Sequence, residues 1–248
     1  MEIQNLDIEH PSTALFSQFD ADSDMKKNAA EPLHFAYILD WARGLPKSEK
    51  GVLDLAAGRG FEVVGLRNEG IKAFGIDQTQ RMVQEKVTPF IMHGEATNPP
   101  IHDNSISGAI LKDAILFFSP EDRKRMLLAL QKSLVPGGSL LILSELSDAL
   151  RIRYLSGKSK WPAHEAFDVS EARHWAKYVK KLQDTGDEVV SVEFPSVPED
   201  IRQLALENGF TFHLLESYKF GSPLAEERRW SKNKPGYICV LEKPQQRA

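Results

Sequence analysis

The chain has 248 residues, 42% of them hydrophobic and 27% charged, with a formal net charge of −4. The length suits one large α/β domain with an extension. The negative charge argues against nucleic acid as a partner through bulk electrostatics and leaves a local basic patch as the one way to bind it. The single cysteine, Cys239, excludes an internal disulfide framework and favours a reducing, cytoplasmic location. No apolar run approaches the roughly 20 residues of a membrane span, so no membrane partner is expected.

Hydrophobic periodicity divides the chain into an arm and a domain. Residues 1–28 show little periodicity and are expected to form an N-terminal arm, whereas residues 29–248 have the pattern of a folded domain. After a predicted helix over 28–41, apolar runs predict five strands, at 51–55, 72–77, 90–95, 107–111 and 139–143. Helices between strands at this spacing imply a parallel sheet with right-handed crossovers.

The alternation stops after the fifth strand. We interpret residues 147–187 as a helical, lid-like insertion, with an amphipathic helix over 166–182. Two apolar segments, 210–220 and 237–242, then predict an antiparallel hairpin at the edge of the sheet. Cys239 lies in the second segment and is expected in the core.

Two later helices begin with strong capping signals. Ser119 precedes Pro120 and two acidic residues, which is typical of an N-cap followed by the first turn of a helix. Ser196 and Glu199 have the spacing of a capping box. We therefore expect Ser119 and Ser196 to cap the helices that follow them.

A glycine turn after the first strand predicts a nucleotide site. Residues 52–60 read as a buried strand that ends at Gly58 and Gly60 and leads into a helix, the arrangement that binds nucleotides in open α/β sheets. Val63 occupies the third glycine position of a dinucleotide fingerprint, which counts against a nicotinamide-dependent oxidoreductase, and the Gly-Lys-Ser/Thr of a P-loop is absent. Asp77, 17 residues after Gly60, ends the second strand, where a carboxylate can accept hydrogen bonds from ribose hydroxyls.

Several short motifs, in the expected order, resemble those of the class I S-adenosylmethionine-dependent methyltransferases. The glycine turn (LDLAAGRG) resembles their first motif, although Ala56 stands where the family usually has glycine. The other similar segments are 75–82 (GIDQTQRM), 93–96 (HGEA), 103–107 (DNSIS), 134–138 (LVPGG) and 208–210 (NGF). The resemblance spans residues 30–145 and 195–243.

The resemblance implies a fold, a cofactor and a set of binding residues. The fold is a Rossmann-like, doubly wound, mostly parallel seven-stranded sheet with an antiparallel C-terminal edge hairpin, and the cofactor is S-adenosyl-L-methionine. Its methionine part would lie along Asp54, Ala56, Gly58 and Gly60. The ribose would bind Asp77, the adenine would lie among Gln78, Met82, Glu95 and Ala96, and Lys112 would lie near the transferable methyl group.

The implied activity is methyl transfer, and a small-molecule acceptor is the favoured substrate class. No residue is identified as catalytic, because an activated methyl group needs positioning more than it needs a fixed general base. The substrate candidates are His34, Tyr37, Asp113, His164 and Trp175. An RNA or protein acceptor, or a non-catalytic S-adenosylmethionine-binding module, are the alternatives. The sequence predicts no metal site and leaves the oligomeric state open.

Overall fold

The fold is known from a computed structural model, which describes residues 32–46, 50–145, 176–181, 188–193, 196–219, 222–224 and 236–245. The helices in this part of the chain are α1 (Pro32–Gly44), α2 (Phe61–Asn68), α3 (Gln80–Gln84), α4 (Pro120–Ser133) and α5 (Pro198–Glu207). The strands are β1 (Gly51–Leu55), β2 (Ala73–Asp77), β3 (Ile91–His93), β4 (Ile106–Lys112), β5 (Leu134–Glu145), β6 (Ala176–Lys181), β7 (Glu188–Glu193), β8 (Thr211–Tyr218) and β9 (Gly236–Glu242). None of the described helices is long and apolar enough to cross a membrane.

A seven-stranded sheet in the order β3-β2-β1-β4-β5-β9-β8 organises the domain. Neighbouring strands among β1–β5 are parallel, whereas β9 is antiparallel to both β5 and β8. Because β9 is antiparallel to both β5 and β8, β8 runs in the same direction as β1–β5. The carboxyl ends of these six strands therefore meet at one edge of the sheet, named here the carboxyl edge. This topology confirms the predicted fold class.

Apolar side chains bury both faces of the central strands. In β1 all five residues are buried, as expected for a strand in the middle of a parallel sheet. Leu53 and Leu55 face the apolar cluster that contains Leu130 of α4, whereas Val52 faces the cluster that contains Ile38 of α1. Cys239 is fully buried in the first cluster, which confirms its predicted place in the core.

Helix α1 spans one face of the sheet from the amino ends of the strands toward the carboxyl edge. Near its C-terminus, the Trp41 indole N–H donates to the Ser139 hydroxyl of β5 at 2.9 Å, and the ring lies so close to Gly108 that a Cβ there would come within 2.7 Å of it. Near its N-terminus, His34 contacts Tyr218, the last residue of β8. The first turn of α1 therefore lies at the carboxyl edge.

The predicted helix over 166–182 is wrong for the part that the structure describes. Residues 176–181 form β6, which pairs with β7 in a separate antiparallel ribbon. Tyr178 and Val179 favour strand structure, and pairing with 188–193 outweighs the helical spacing of the apolar residues. Residues 166–175 and 182, like the sequence-predicted N-terminal arm, lie outside the described residues.

The two predicted caps have different outcomes. The Ser119 hydroxyl accepts a hydrogen bond from the Asp122 N–H at 3.1 Å, which confirms it as the N-cap of α4. Ser196 is not a cap, because α5 begins after Val197 without a side-chain cap. Instead, the buried Ser196 hydroxyl lies 2.5 Å from the Tyr237 hydroxyl of β9. A buried hydroxyl group needs a hydrogen-bond partner, and Ser196 supplies one for Tyr237. This tertiary contact therefore outweighs the local preference of Ser196 for a helix cap.

A double-mutant cycle on Ser196 and Tyr237 tests this interpretation. We expect Ser196→Ala alone to lower the free energy of unfolding by about 1–3 kcal/mol, because it removes a partner of a buried hydroxyl. Ser196→Ala combined with Tyr237→Phe should cost less than the sum of the single variants in urea denaturation, since the two groups interact directly. Strict additivity would contradict the contact.

Candidate active site

The turn between β1 and α2 has the backbone of a close-approach site. Ala56, Gly58 and Gly60 all have positive φ angles, of 57°, 53° and 90°. At Gly60 a Cβ would lie 2.6 Å from the Ile91 side chain, so this glycine is needed for packing. At Gly58 a Cβ would meet no atom within 4 Å. The turn therefore packs closely against Ile91 at Gly60, whereas the space next to Gly58 is open and a ligand can approach the backbone there.

Asp77 ties this turn to the end of β2. One oxygen of its carboxylate accepts the Gly58 N–H at 2.8 Å and the other accepts the Thr79 N–H at 2.7 Å. Burial raises the pKa of Asp77, and these two hydrogen bonds counteract part of that rise. Each carboxylate oxygen has a second lone pair. Asp77 can therefore support the turn and still accept the hydroxyl groups of a ribose.

Asp54 is a buried carboxylate at the end of β1. Only 3% of the residue is exposed, and its Oδ2 atom has no hydrogen-bond partner among the described residues. Burial raises the pKa of Asp54 well above its usual value; the nearby Glu62 and Asp77 carboxylates raise it further, and the Lys112 ammonium lowers it. A buried polar oxygen without a partner is costly. Its presence beside the open turn indicates a place for a cationic group of a ligand.

Glu62 and Lys112 complete this group of charges. Lys112, at the end of β4, forms an ion pair with Glu62, in the first turn of α2, with 2.9 Å between Nζ and Oε1. The two side chains are only 17% and 21% exposed. We call Asp54, Glu62, Asp77 and Lys112 the acidic cluster. Sequence analysis missed Glu62, although an acidic residue in the first turn of the helix after a glycine turn was the available signal.

The acidic cluster suits the methionine part of the cofactor that the sequence implies. S-adenosylmethionine carries an ammonium, a sulfonium and a carboxylate group in this part, with a net positive charge, and the cluster has three carboxyl groups but one ammonium. The unpartnered Asp54 oxygen and the open space at Gly58 lie at the same turn. The residues present therefore fit the cofactor on charge and on space.

The predicted adenine residues lie beyond the ends of β2 and β3, also at the carboxyl edge. Gln78 and Met82 are half-buried, and the Gln78 carbonyl oxygen lies 2.9 Å from the Nε2 atom of His93. Ala96 is buried, whereas Glu95 is exposed. The four positions flank Asp77 on the side of the sheet where β3 forms the edge.

The predicted substrate residues that the structure describes fall into two places. His34 and Tyr37, on α1, reach the end of β8: the Tyr37 hydroxyl donates to Glu216 at 3.2 Å, and the His34 Nε2 atom lies 3.3 Å from the Tyr218 hydroxyl. Asp113 follows β4 with a positive φ of 55°. His164 and Trp175 lie outside the described residues.

A cavity of about 740 Å³ opens between α1 and the end of β8, and we call it the α1–β8 cavity. Tyr37 and Glu216 line it, whereas the fully buried His34 lies behind Tyr218. Its walls are Leu33, Tyr37, Glu216, Ser217, Tyr218, Lys219, Ser222, Pro223 and Leu224. Partial burial and the Glu216 carboxylate raise the pKa of Tyr37, so its hydroxyl remains a hydrogen-bond donor at neutral pH. Sequence analysis missed Glu216, which carries no motif of its own.

Comparison with known proteins identifies a family segment and a shared fold. The profile of the methyltransferase-domain family matches residues 53–142. An S-adenosylmethionine-dependent methyltransferase of Methanosarcina mazei is 15% identical, with a TM-score of 0.61, over 82% of this chain and 97% of the other. One from Clostridium acetobutylicum is 14% identical, with a TM-score of 0.59, over 89% and 94%.

A third solved structure contains bound ligands. The 1,6-didemethyltoxoflavin-N1-methyltransferase of Burkholderia thailandensis, solved with bound 1,6-didemethyltoxoflavin and S-adenosylhomocysteine, is 14% identical, with a TM-score of 0.56, over 95% of this chain and 88% of the other. At these identities the likeness establishes the fold. No curated protein matches the sequence significantly.

Replacing Asp54 tests two effects of its carboxylate: a loss of protein stability and a gain in affinity for the cofactor. Because the folded state raises its pKa, the folded protein holds this proton more tightly than the unfolded chain, and the carboxyl group lowers stability once the pH exceeds about 3.9. We expect Asp54→Asn to raise the free energy of unfolding at pH 7 by about 1 kcal/mol and to weaken S-adenosylhomocysteine binding about tenfold. Denaturation and calorimetry measure the two effects. The exposed Asp40→Asn variant should change neither, and a destabilised Asp54→Asn protein would contradict this account.

The positive φ of Ala56 gives a second prediction. A left-handed conformation costs a non-glycine residue about 1–2 kcal/mol, which exceeds the entropic cost of glycine in the unfolded chain. Ala56→Gly should therefore stabilise the protein by about 0.5–1 kcal/mol and tighten cofactor binding, since a methyl group leaves the turn. Ala57→Gly is the matched control: that side chain is buried, and its loss should be destabilising. Thermal melts with and without S-adenosylhomocysteine would show the contrast, and a destabilised Ala56→Gly would refute it.

Proposed function

We propose that this chain is a class I S-adenosylmethionine-dependent methyltransferase that transfers a methyl group to a small organic acceptor in the α1–β8 cavity. The observation that carries the proposal is the position of this cavity. It lies at the end of β8, and β8 runs in the same direction as β1–β5. The cavity therefore opens at the edge of the sheet that also carries the glycine turn and the acidic cluster.

The size and lining of the cavity favour a small molecule. About 740 Å³ lies within the range of small-ligand sites, which is roughly 300–1,000 Å³. Leu33, Pro223 and Leu224 supply apolar walls, and Tyr37 with Glu216 supplies a fixed polar pair. Such a pair can orient a hydroxyl or amine group of an acceptor while the apolar walls hold its body. The didemethyltoxoflavin methyltransferase supports the proposal by analogy, since its structure contains a small heterocyclic substrate.

The residues of the chain serve mainly to position and to exclude water. Bound S-adenosylmethionine supplies a methyl group that its sulfonium has already activated for displacement. Asp77 would bind the ribose hydroxyls, and Asp54 would pair with the amino group of the methionine part. Tyr37 and Glu216 would orient the acceptor, and the Glu216 carboxylate can take up the proton that a hydroxyl or ammonium acceptor loses. His34, which is buried behind Tyr218, is a positioning residue in this scheme. Correct alignment alone can supply a large part of the acceleration.

Variants of the cavity test the proposed acceptor site. S-adenosylhomocysteine formation would be measured over a panel of small amines, phenols, carboxylic acids and heteroaromatic compounds. For the acceptors that turn over, Glu216→Gln should raise KM about tenfold and Tyr37→Phe about threefold, because each removes a hydrogen bond to the acceptor or its partner. The affinity for S-adenosylhomocysteine should stay unchanged in both variants. Glu207→Gln, at the exposed end of α5, is the control for a change of charge.

Other outcomes would favour the other substrate classes. Turnover with RNA or protein only, with strong salt dependence in the case of RNA, would overturn the small-molecule proposal. Cofactor binding without turnover of any acceptor class would instead favour a non-catalytic binding module. A KM that Glu216→Gln leaves unchanged would place the acceptor outside this cavity.

A further inference from the structure

Four charged side chains converge beside the glycine turn from four elements. Asp54 lies near the carboxyl end of β1, and Asp77 and Lys112 are the last residues of β2 and β4. Glu62 lies in the first turn of α2. The strand register pairs Asp54 with Gly75 of β2 and Ile110 of β4, so Asp77 and Lys112, two residues further along, lie on the same face of the sheet as Asp54. Among the charged groups near Asp54, Lys112 favours its ionised form, whereas Glu62 and Asp77 oppose it. The charge state of this buried, unpartnered carboxylate oxygen therefore depends on its burial and on these neighbours.

The position of Lys112 is fixed by Glu62. The 2.9 Å ion pair holds the ammonium at the end of β4, and both side chains are largely shielded from solvent. Shielded charges act on one another more strongly than exposed charges do, because water and salt screen them less. The pair between Arg43 and Glu69, near the other end of α2, is the contrasting case, with 60% and 43% of its side chains exposed.

We propose that Lys112, held in place by Glu62, is a positioning residue that favours the charged form of the Asp54 carboxylate and thereby sets the pH range in which the cofactor binds. The inference rests on the proposed function, since the ligand that needs a charged Asp54 is the amino group of the cofactor. S-adenosylmethionine and S-adenosylhomocysteine share this amino group, so both should show the effect. Below the pKa of Asp54 the neutral carboxyl gives up its electrostatic contact with the ammonium, and binding weakens.

The two members of the ion pair should have opposite effects. Lys112→Met removes the charge that lowers the pKa of Asp54, so the pH at which binding reaches its plateau should rise. Glu62→Gln removes a repulsion that raises this pKa, and the amide oxygen of glutamine can still accept a hydrogen bond from Lys112 and hold the ammonium in place, so the plateau should begin at lower pH. Lys112→Arg retains the charge and should restore the wild-type profile. A purely structural role for the pair would move both variants in the same direction, or neither.

The experiment is calorimetric titration with S-adenosylhomocysteine between pH 5 and pH 7, below the range in which the amino group of the ligand itself loses its proton. Wild-type affinity should increase with pH, and Asp54→Asn should flatten the profile, which assigns the titration to Asp54. Glu69→Gln is the matched control: it removes one carboxylate from the C-terminal end of α2, in an exposed ion pair, and should leave the profile unchanged.

A second measurement does not depend on the variants. If Asp54 becomes charged when ligand binds, the wild-type protein should release protons on binding at any pH below the plateau of its binding profile, and heats measured in buffers of different ionisation enthalpy would reveal this release. A pH profile of binding that is the same for Lys112→Met as for the wild type would overturn the inference. The absence of proton release would overturn it too. A failure of the wild-type protein to bind either ligand would instead refute the proposed function.

Discussion

The buried carboxylate of Asp54 is the constraint on which the site depends. A carboxyl group at the end of a central parallel strand is shielded by the neighbouring strands, and folding places it where its charge is costly. The chain responds with Lys112 on one adjacent strand but adds Glu62 and Asp77, which increase the cost. Such an arrangement is poor for stability and good for a cation. The local chemistry therefore fits the binding of a cationic ligand better than it serves the stability of the fold.

The direction of β9 determines how the glycine turn and the end of β8 lie relative to each other. Because β9 is antiparallel to both of its neighbours, β8 has the same direction as β1–β5, and its carboxyl end reaches the edge that carries the acidic cluster. Helix α1 then joins the two halves, with Trp41 anchored on β5 and Tyr37 beside Glu216. The antiparallel placement of β9 thus also puts the α1–β8 cavity at the edge of the sheet where a nucleotide cofactor would bind.

The sequence predicts one half of this site much better than the other. The glycine turn, Asp77 and the parallel strands follow local rules, since spacing, turn chemistry and apolar runs suffice to place them. Glu216 and Tyr37 are 179 residues apart in sequence, and only the closing strands bring them together. Ser196 is a case in which the local pattern misleads. The pattern predicts a helix cap, but the Ser196 hydroxyl instead forms a hydrogen bond with the buried Tyr237 hydroxyl of β9. Likewise, β6 forms because of its partner β7, despite helical spacing.

This difference follows from the chemistry. An activated methyl group requires a bound cofactor in a fixed place, so the residues around the glycine turn face one demand and follow recognisable motifs. The acceptor needs only to be held in line, and many combinations of side chains achieve that. On the proposed function, the pairing of Tyr37 with Glu216 would be one such combination. It lies outside the segments that resemble family motifs, and it becomes visible through the contacts between α1 and β8.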